Sequence, residues 1–479
     1  MTNDLKSHSL RSAKWSILLS ILQKVFIPVA NIIIARHISP EIFGELTIIL
    51  LFVTFSDLIR EEAFSKAYIR LGDDKTFFTF FSINILIGIF LYMLLTKTPL
   101  NDFIINTYNV DKNVFDTISI YLILTSASST LYSRLFQNMD FKTIFRVELI
   151  PSLTPYFITL PLAMFGYGLW SFVIGYLVAG TIKLIGLILA NKNLTFIYRF
   201  DLQKAKTAIA FSWYIFIEAV LGWIYVWGDK LIGSTYMDIK QLGLYSLSSM
   251  IVTSVFSFIY YPINQISYPA LCKISDQEIH FKSMVYTLLR LAVFIAFPTA
   301  LILFSIAQFA NLILGNKWNG TMPLVTLLTI TSLLAYIVTI IIPNALKAKH
   351  LAHIMPTVQF YKLFYTLPLW TYGVIAYGVI GLCVSKIISV SIGFVIFLYI
   401  GIKHLNLDTQ HIAFLNKHTI LSGVISLSIY FYTISFISHD NIVMRLTVLL
   451  ISLIIYISYH LFFNRKYILE LKAVIKQIR

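Results

Sequence analysis

Long apolar stretches separated by short polar connections run along almost the whole chain. Fourteen of these stretches reach the length of about 20 residues that a helix needs to cross a bilayer core. Because lipid surroundings require each span to satisfy its own backbone hydrogen bonds, the pattern predicts an all-α polytopic membrane protein. The predicted spans cover residues 15–36, 44–64, 77–96, 114–135, 147–166, 168–190, 208–228, 243–268, 286–310, 322–343, 357–376, 379–402, 418–437 and 443–463.

Composition and charge agree with this prediction. Hydrophobic residues make up 58% of the chain and charged residues 12%, a balance that a water-soluble protein does not show. Of the 37 lysines and arginines, 26 fall on the side that holds both chain ends, 7 on the other side and 4 within spans. Since basic residues collect on the cytoplasmic side, we expect a multi-pass membrane protein with both termini in the cytoplasm. The same distribution explains the net charge of +15 without a nucleic-acid partner.

An internal repeat divides the spans into two sets. Residues 167–182 align without gaps with residues 377–392, at an offset of 210, and a weaker pair links 42–52 with 241–251. Six spans in each half make the two halves run in the same direction, a construction found in transporters that rock two lobes around a central cavity. We therefore predict an N-terminal six-helix lobe over residues 1–206, a C-terminal six-helix lobe over 207–406, and two additional helices with a basic cytoplasmic tail over 407–479.

Signals of enzyme chemistry are missing from the sequence. It contains no nucleotide-binding glycine loop, no His-Glu-x-x-His motif and no nucleophile elbow. Cys272 and Cys383 lack metal-ligand spacing. The longest connection on the predicted outer side, residues 97–113, is short for the catalytic loop that a membrane polysaccharide polymerase or ligase needs. We expect a transport protein with no cofactor and no metal, and a polymerase or ligase is an unlikely alternative.

Five segments resemble a known family in the order in which they occur. They read "NMDFKTIFRVELIP" (138–151), "GYGLWSFVIGYLV" (166–178), "WGDKLIGSTYMDIKQLGLYSLSSMI" (227–251), "SYPALCKISDQ" (267–277) and "LILGNKWNGTMPLV" (312–325). Together they are similar to the Wzx-type polysaccharide flippases. These belong to the multidrug/oligosaccharidyl-lipid/polysaccharide (MOP) exporter superfamily, which also contains the MATE exporters and the lipid II flippases.

The resemblance implies a function. It is the transfer of undecaprenyl-diphosphate-linked oligosaccharide from the cytoplasmic to the outer leaflet, for O-antigen, lipopolysaccharide or a similar surface polysaccharide. It also implies alternating access, coupling to an ion gradient, and work alongside a polysaccharide polymerase and a chain-length regulator. The alternative within the superfamily is a MATE-like antiporter of drugs or metabolites against cations. That alternative predicts twelve spans and cavity carboxylates.

Four lysines within the spans are the candidate substrate-binding residues: Lys24, Lys183, Lys362 and Lys386. A charge at the bilayer centre costs roughly 2.5–3.5 kcal/mol on insertion scales, so it faces a cavity or a partner. A diphosphate crossing the membrane requires positive countercharge, which these ammonium groups would supply. The alternatives are structural ion pairs for Lys24 and Lys386, and extension of the side chain to the interface for Lys183 and Lys362.

Carboxylates are rarer than lysines inside the spans. Glu218 lies well inside the seventh span, where it would either carry a coupling proton or pair with a cavity lysine. Asp57 and Arg60 belong to the segment "SDLIREEAFSK" (56–66), which departs from the family's small, glycine-containing turn. We treat both as candidate gate residues at the cytoplasmic end of the second span.

Two prolines break the pattern of the eighth span. Pro262 and Pro269 remove backbone hydrogen bonds and favour a kink, so they are candidate hinge residues. Asn264 and Gln265 lie between them. Their amides either contact sugar hydroxyls or satisfy the carbonyls that the prolines free, and the second explanation is the simpler one.

Overall fold

The structure is a computed structural model, and it describes residues 19, 22–24, 26–58, 65–74, 76–192, 200–338, 340–437 and 441–463. Within these residues every regular element is a helix, which confirms the all-α prediction. The first helix, α1, is described at residues 19, 22–24 and 26–37. The elements after it are α2 (Pro40–Asp57), α3 (Lys66–Leu71), α4 (Phe77–Lys97), α5 (Pro99–Tyr108), α6 (Lys112–Gln137), α7 (Phe141–Met164), α8 (Trp170–Ala190), α9 (Leu202–Tyr236), α10 (Ile239–Lys273), α11 (Glu278–Gln308), α12 (Ala310–Leu314), a 3-10 turn (Asn316–Trp318), α13 (Thr321–Val338), α14 (Ile341–Ala348), α15 (Ile354–Leu405), α16 (Thr409–Ile434) and α17 (Ile442–Phe463).

These helices follow the predicted spans closely. In the described part of the chain, ten helical segments are long and apolar enough to cross a membrane. The segment Ile354–Leu405 is one of the ten and contains two predicted spans. Each predicted span from the second to the fourteenth overlaps a helix.

Tight turns at glycine join two pairs of neighbouring helices. Gly166 and Gly168, between α7 and α8, have φ angles of +83° and +54°. Inside α15, Gly378 has φ +60° and ψ −147°, so this element is two helical arms, residues 354–376 and 379–405, that meet at a sharp turn. Only glycine adopts such a backbone without strain. Both turns were predicted between adjacent spans, and both create helical hairpins.

The described residues divide into two compact units, of which the first ends at Ser246 and the second begins at Leu247. The predicted boundaries after residues 206 and 406 rest on the sequence repeat and stay predictions. In the first unit, one core joins α3, α4, α6, α7, α8 and α9. Its buried members are Ala67, Tyr68, Phe77, Phe80, Leu131, Leu135, Ile144, Leu187 and Ala208.

In the second unit, α16 and α17 pack against α11. The shared core contains Ala300 and Phe304 from α11, Tyr430 from α16 and Val448 from α17. Arg445 is also buried here, and its guanidinium donates hydrogen bonds of 3.0 Å to Gln308 Oε1 and 3.0 Å to the Ile437 carbonyl.

The side chains show the polarity expected of a protein surrounded by lipid. Large apolar residues such as Phe157, Phe364 and Phe462 lie exposed on the helix surfaces. Polar residues such as Asn84 and Thr130 are fully buried, and the Asn84 amide donates to Thr130 Oγ1 at 2.7 Å. Interhelical hydrogen bonds of this kind hold membrane helices together where lipid removes the hydrophobic driving force.

The starts of α2 and α10 touch through two glycines. A Cβ atom on Gly243 would lie 1.8 Å from the Pro40 carbonyl oxygen, and one on Gly44 would lie 2.0 Å from the Ile239 carbonyl oxygen. No other residue type allows the two backbones to approach so closely. The two glycines occupy equivalent positions in the weaker pair of repeated segments, 42–52 and 241–251.

The eighth span is not broken at its prolines. Pro262 and Pro269 both lie inside α10, which continues as one helix from Ile239 to Lys273. A proline removes a single helical hydrogen bond, and membrane helices tolerate this where neighbours satisfy the freed carbonyl. The prediction of a break is therefore wrong, and a hinge at these prolines stays a prediction.

Candidate functional site

A cavity of about 600 Å³ lies within the first unit, between α1, α3, α6, α7 and α8. Its wall is rich in groups that donate hydrogen bonds or carry charge. These are Gln23, Ser65, Lys66, Ser128, Ser129, Tyr132, Ser133, Glu148 and Lys183. The cavity therefore combines two ammonium groups, one carboxylate and several hydroxyls at a depth where most side chains are apolar.

The Lys183 ammonium group is held by two neighbours in this wall. Its Nζ lies 2.8 Å from Glu148 Oε1, and the two side chains are 24% and 15% exposed. The same Nζ lies 5.4 Å from the centroid of the Tyr132 ring, within the range of a cation–π contact. Lys183 thus lies in a cavity wall and also has a counter-ion. An ion pair was an alternative for Lys24 and Lys386 and was not predicted for Lys183.

The α7/α8 hairpin explains why these two residues meet. α7 begins after Asp140, whose carboxylate caps it by accepting a hydrogen bond of 3.1 Å from the Thr143 N–H. Glu148 lies seven residues after Phe141, the first residue of α7, and Lys183 lies seven residues before the end of α8. At 1.5 Å per residue, both sit about 10 Å from the same end of the hairpin.

Sequence reasoning missed Glu148, because it falls at the edge of the predicted fifth span. The number of residues between each side chain and the Gly166–Gly168 turn is a signal that could have identified Glu148. Glu148 precedes the turn, and Lys183 follows it, by similar numbers of residues, so the two lie at similar depths on antiparallel helices.

In the second unit, two lysines rest on aromatic rings of the α15 hairpin. Lys362 is 7% exposed, and its Nζ lies 5.2 Å from the Phe397 ring centroid. Lys386 Nζ lies 5.4 Å from the Trp370 ring centroid. The Lys362 Cε atom lies 3.6 Å from the position that a Cβ atom on Gly393 would occupy. Both lysines thus contact an aromatic ring across the hairpin.

Lys362 and Lys183 occupy related places in the two halves. At the offset of 210, Gly393 is the residue equivalent to Lys183. Lys183 itself occupies this repeat position, on the second helix of the α7/α8 hairpin. In the α15 hairpin the position belongs to Gly393 on the second arm, and Lys362 reaches towards it from the first arm.

The remaining predicted site residues are dispersed. Lys24 is half-buried on the first helix, next to Gln23, which lines the cavity. Glu218 is exposed on α9, and Asp57 is half-buried at the end of α2. Arg60 lies outside the described residues.

A small polar cluster joins α10 to α14. The Asn344 amide donates hydrogen bonds of 3.0 Å to Asn264 Oδ1 and 2.7 Å to Ser267 Oγ. Gln265, like both prolines of α10, is exposed. Asn264 thus has an interhelical partner, an alternative the sequence did not offer.

A charged clamp lies at the ends of α6 and α8. Arg134 Nε and Nη2 donate hydrogen bonds of 2.7 Å and 3.0 Å to the two carboxylate oxygens of Asp74. A further bond of 3.1 Å runs from Arg134 Nη1 to Asn191 Oδ1 at the end of α8. The bonds from Arg134 hold the pKa of the Asp74 carboxyl below its usual range. This clamp fixes the loop before α4 against the ends of α6 and α8.

No metal centre is found in the part of the chain that the structure describes, where no group of three or more His, Cys, Asp or Glu residues is arranged to hold an ion.

Comparison with known proteins identifies the family. Residues 33–323 match the family described as polysaccharide biosynthesis protein. The "uncharacterized membrane protein in cps region" of Klebsiella pneumoniae is 25% identical over 405 residues, which cover 81% of each chain. The lipopolysaccharide biosynthesis protein WzxC of Escherichia coli (strain K12) is 21% identical over 408 residues, which cover 83% of this chain and 82% of WzxC. The lipid II flippase MurJ, solved in an inward closed conformation, superposes with a TM-score of 0.79 at 18% identity, covering 95% of this chain and 100% of MurJ.

The chain therefore shares the all-α, multi-span fold of MurJ. Since the match covers more than half of its length, the chain belongs to the polysaccharide biosynthesis protein family. The resemblance seen in the five sequence segments is confirmed.

Proposed function

We propose that this protein transfers undecaprenyl-diphosphate-linked oligosaccharides from the cytoplasmic to the outer leaflet of the inner (plasma) membrane. The transferred chains then serve the synthesis of O-antigen or a similar surface polysaccharide. The observation that carries the proposal is the cavity of about 600 Å³ with Lys66 and Lys183 in its wall, in a chain of this family. The name of WzxC, a lipopolysaccharide biosynthesis protein, supports the same assignment.

The chemistry of the cavity suits a phosphorylated head group. Phosphate oxygens attract ammonium groups more strongly in a low-dielectric site than in water. The hydroxyls of Ser128, Ser129 and Ser133 are buried in the same wall, where each donates its proton to a backbone carbonyl of α6. A rotation of the hydroxyl would exchange this bond for one to a phosphate or sugar oxygen. The lipid tail would remain against the apolar helix surfaces while the head group crosses.

Orientation and mechanism complete the proposal. The distribution of 26 basic residues against 7 supports cytoplasmic termini. The two sequence halves act as lobes that alternate access, coupled to a proton or sodium gradient, with Glu218 as a candidate coupling residue. Asp57, Arg60 and the α10 prolines are candidate gate residues. A polysaccharide polymerase and a chain-length regulator are the proposed partners.

A MATE-like antiporter of organic cations is the second candidate. Such a substrate would require acidic groups in the cavity. The described wall instead holds two lysines and one carboxylate, and Lys183 neutralises that carboxylate. The electrostatics therefore favour an anionic substrate.

Complementation tests the proposal in cells that lack their own flippase. We expect the wild-type chain to restore surface polysaccharide. Lys24→Ala and Lys386→Ala should insert at normal levels and fail to export, while Lys24→Arg, which keeps the positive charge, should retain export. If the wild type restores nothing at normal membrane levels, the proposed function is wrong. If both alanine variants export normally, these two lysines are structural.

A further inference from the structure

We propose that Glu148 is an internal counter-anion that occupies the phosphate subsite of the empty transporter, and that substrate phosphate displaces it from Lys183. This inference rests on the proposed function and names the group that the substrate must replace. It assigns a role to a carboxylate that lies at the edge of a predicted span.

The position of Glu148 supports the exchange. Lys183 Nζ lies 2.8 Å from Glu148 Oε1, inside the wall of a cavity of about 600 Å³. The contact is close in distance but poorly aligned, because Oε1 is buried and, among the described residues, accepts no hydrogen bond of good geometry. Charge therefore holds Glu148 beside Lys183, and the charge of a phosphate oxygen can replace it.

Electrostatics explain why an empty transporter needs such a group. A lysine about 10 Å from a helix end, in a largely buried site, is costly without a countercharge. When the cavity holds no substrate, Glu148 supplies that charge. When a phosphate enters, it makes the same contact with Lys183 and brings more oxygens for the serine hydroxyls, so Glu148 becomes dispensable.

Of the other described wall residues, Lys66 adds a positive charge and the rest are uncharged. Lys66 comes from the start of α3 and Tyr132 from α6, while α1 contributes the uncharged Leu19 and Gln23. Glu148 is the only anionic group among these described wall residues. Exchange of Glu148 for a phosphate therefore keeps a negative charge beside Lys183, whereas loss of Lys183 leaves the carboxylate buried with no close cation.

The purified protein in nanodiscs provides the test, with inorganic pyrophosphate as the probe. Glu148→Gln removes the competing charge, so we expect pyrophosphate to bind about tenfold more tightly, equal to about 1.4 kcal/mol. Lys183→Ala should lose measurable binding, and Lys183→Arg should keep it.

The matched control is Glu278→Gln. Glu278 forms an ion pair of the same length, 2.8 Å, with Lys282, but it is 63% exposed and lies outside the cavity. This control should bind pyrophosphate like the wild type.

A second probe separates a competing charge from a structural role. Sulfate keeps its double negative charge across the neutral and mildly acidic range. At neutral pH, Glu148→Gln should bind sulfate more tightly than the wild type does, while Glu148→Asp, which keeps the competing charge, should not. A purely structural Glu148 would make both variants bind sulfate less tightly.

The outcomes distinguish this inference from the proposed function. Equal pyrophosphate affinity of wild type and Glu148→Gln would refute the counter-anion role, even if export in cells is intact. Normal binding by Lys183→Ala would refute the subsite. If the Gln variant does not fold, the contrast between Lys183→Ala and Lys183→Arg still decides whether the subsite exists. A wild type that binds pyrophosphate but never restores surface polysaccharide would instead contradict the flippase assignment.

Discussion

The glycine contact between α2 and α10 gives the sharpest stability prediction. In Gly243→Ala, the new Cβ would lie 1.8 Å from the Pro40 carbonyl oxygen, whereas ordinary contact begins at 3.4 Å. The two helices would have to separate by about 1.6 Å, since a backbone carbonyl cannot rotate away as a side chain can. Overpacking of this kind costs about 1–3 kcal/mol. We expect Gly44→Ala, 2.0 Å from the Ile239 carbonyl oxygen, to behave in the same way.

Gly222→Ala is the matched control, because a Cβ at Gly222 meets nothing within 4 Å. In the middle of a helix, this change should stabilise the protein by about 0.5–1 kcal/mol. Thermal unfolding of each variant in the same detergent measures the difference, with membrane levels checked beforehand. The two contact variants should melt several degrees below the wild type and Gly222→Ala at or above it. If Gly243→Ala melts with Gly222→Ala, the close contact does not exist in the protein.

Three further changes test other parts of the structure. Arg445→Met leaves the buried Ile437 carbonyl and the half-buried Gln308 oxygen without their donor. We therefore expect α17 to loosen at a cost of about 1–3 kcal/mol, seen as faster proteolysis of the C-terminal helices; an unchanged cleavage pattern would contradict this contact. Asp74→Asn should lose under about 1 kcal/mol at pH 7, because the pair with Arg134 is partly exposed. Since the folded pKa of Asp74 is lowered, that loss should shrink as the pH falls below about 4, and a loss that persists there would refute the pairing. Gly378→Ala should cost about 1–3 kcal/mol through backbone strain alone, because nothing lies within 4 Å of its Cβ. A melting temperature equal to the wild type would show that this turn has a different backbone.

Much of the fold could be predicted from the sequence, because span length and turn chemistry are local properties. The apolar runs located helices from the second span onward. The short gaps between neighbouring spans, marked by Gly166 and Gly168 in one case and by Gly378 in the other, located both tight hairpins. Tertiary context decided the rest. Pro262 and Pro269 carry the usual signal of a broken helix, yet α10 continues through them. Arg445 looks like a basic residue of an outer connection, but it is buried against α11.

The candidate site was predictable only in part. The cost of intramembrane charge identified Lys183 and Lys362, but it says nothing about which helix face each side chain occupies. The partner Glu148 depends on how α7 and α8 rotate against each other, a property of packing. The aromatic supports of Lys362 and Lys386 are likewise long-range contacts, since Phe397 and Trp370 lie across the α15 turn.

Translocation by the purified protein tests the central claim most directly. Proteoliposomes would carry the wild type and a fluorescent undecaprenyl-diphosphate-linked oligosaccharide, with the labelled head group monitored by a membrane-impermeant quencher. We predict that the wild type and Glu278→Gln move the head group between leaflets and that Lys183→Ala does not. A wild type that leaves this lipid in its original leaflet, while exchanging an organic cation for protons or sodium, would contradict the account.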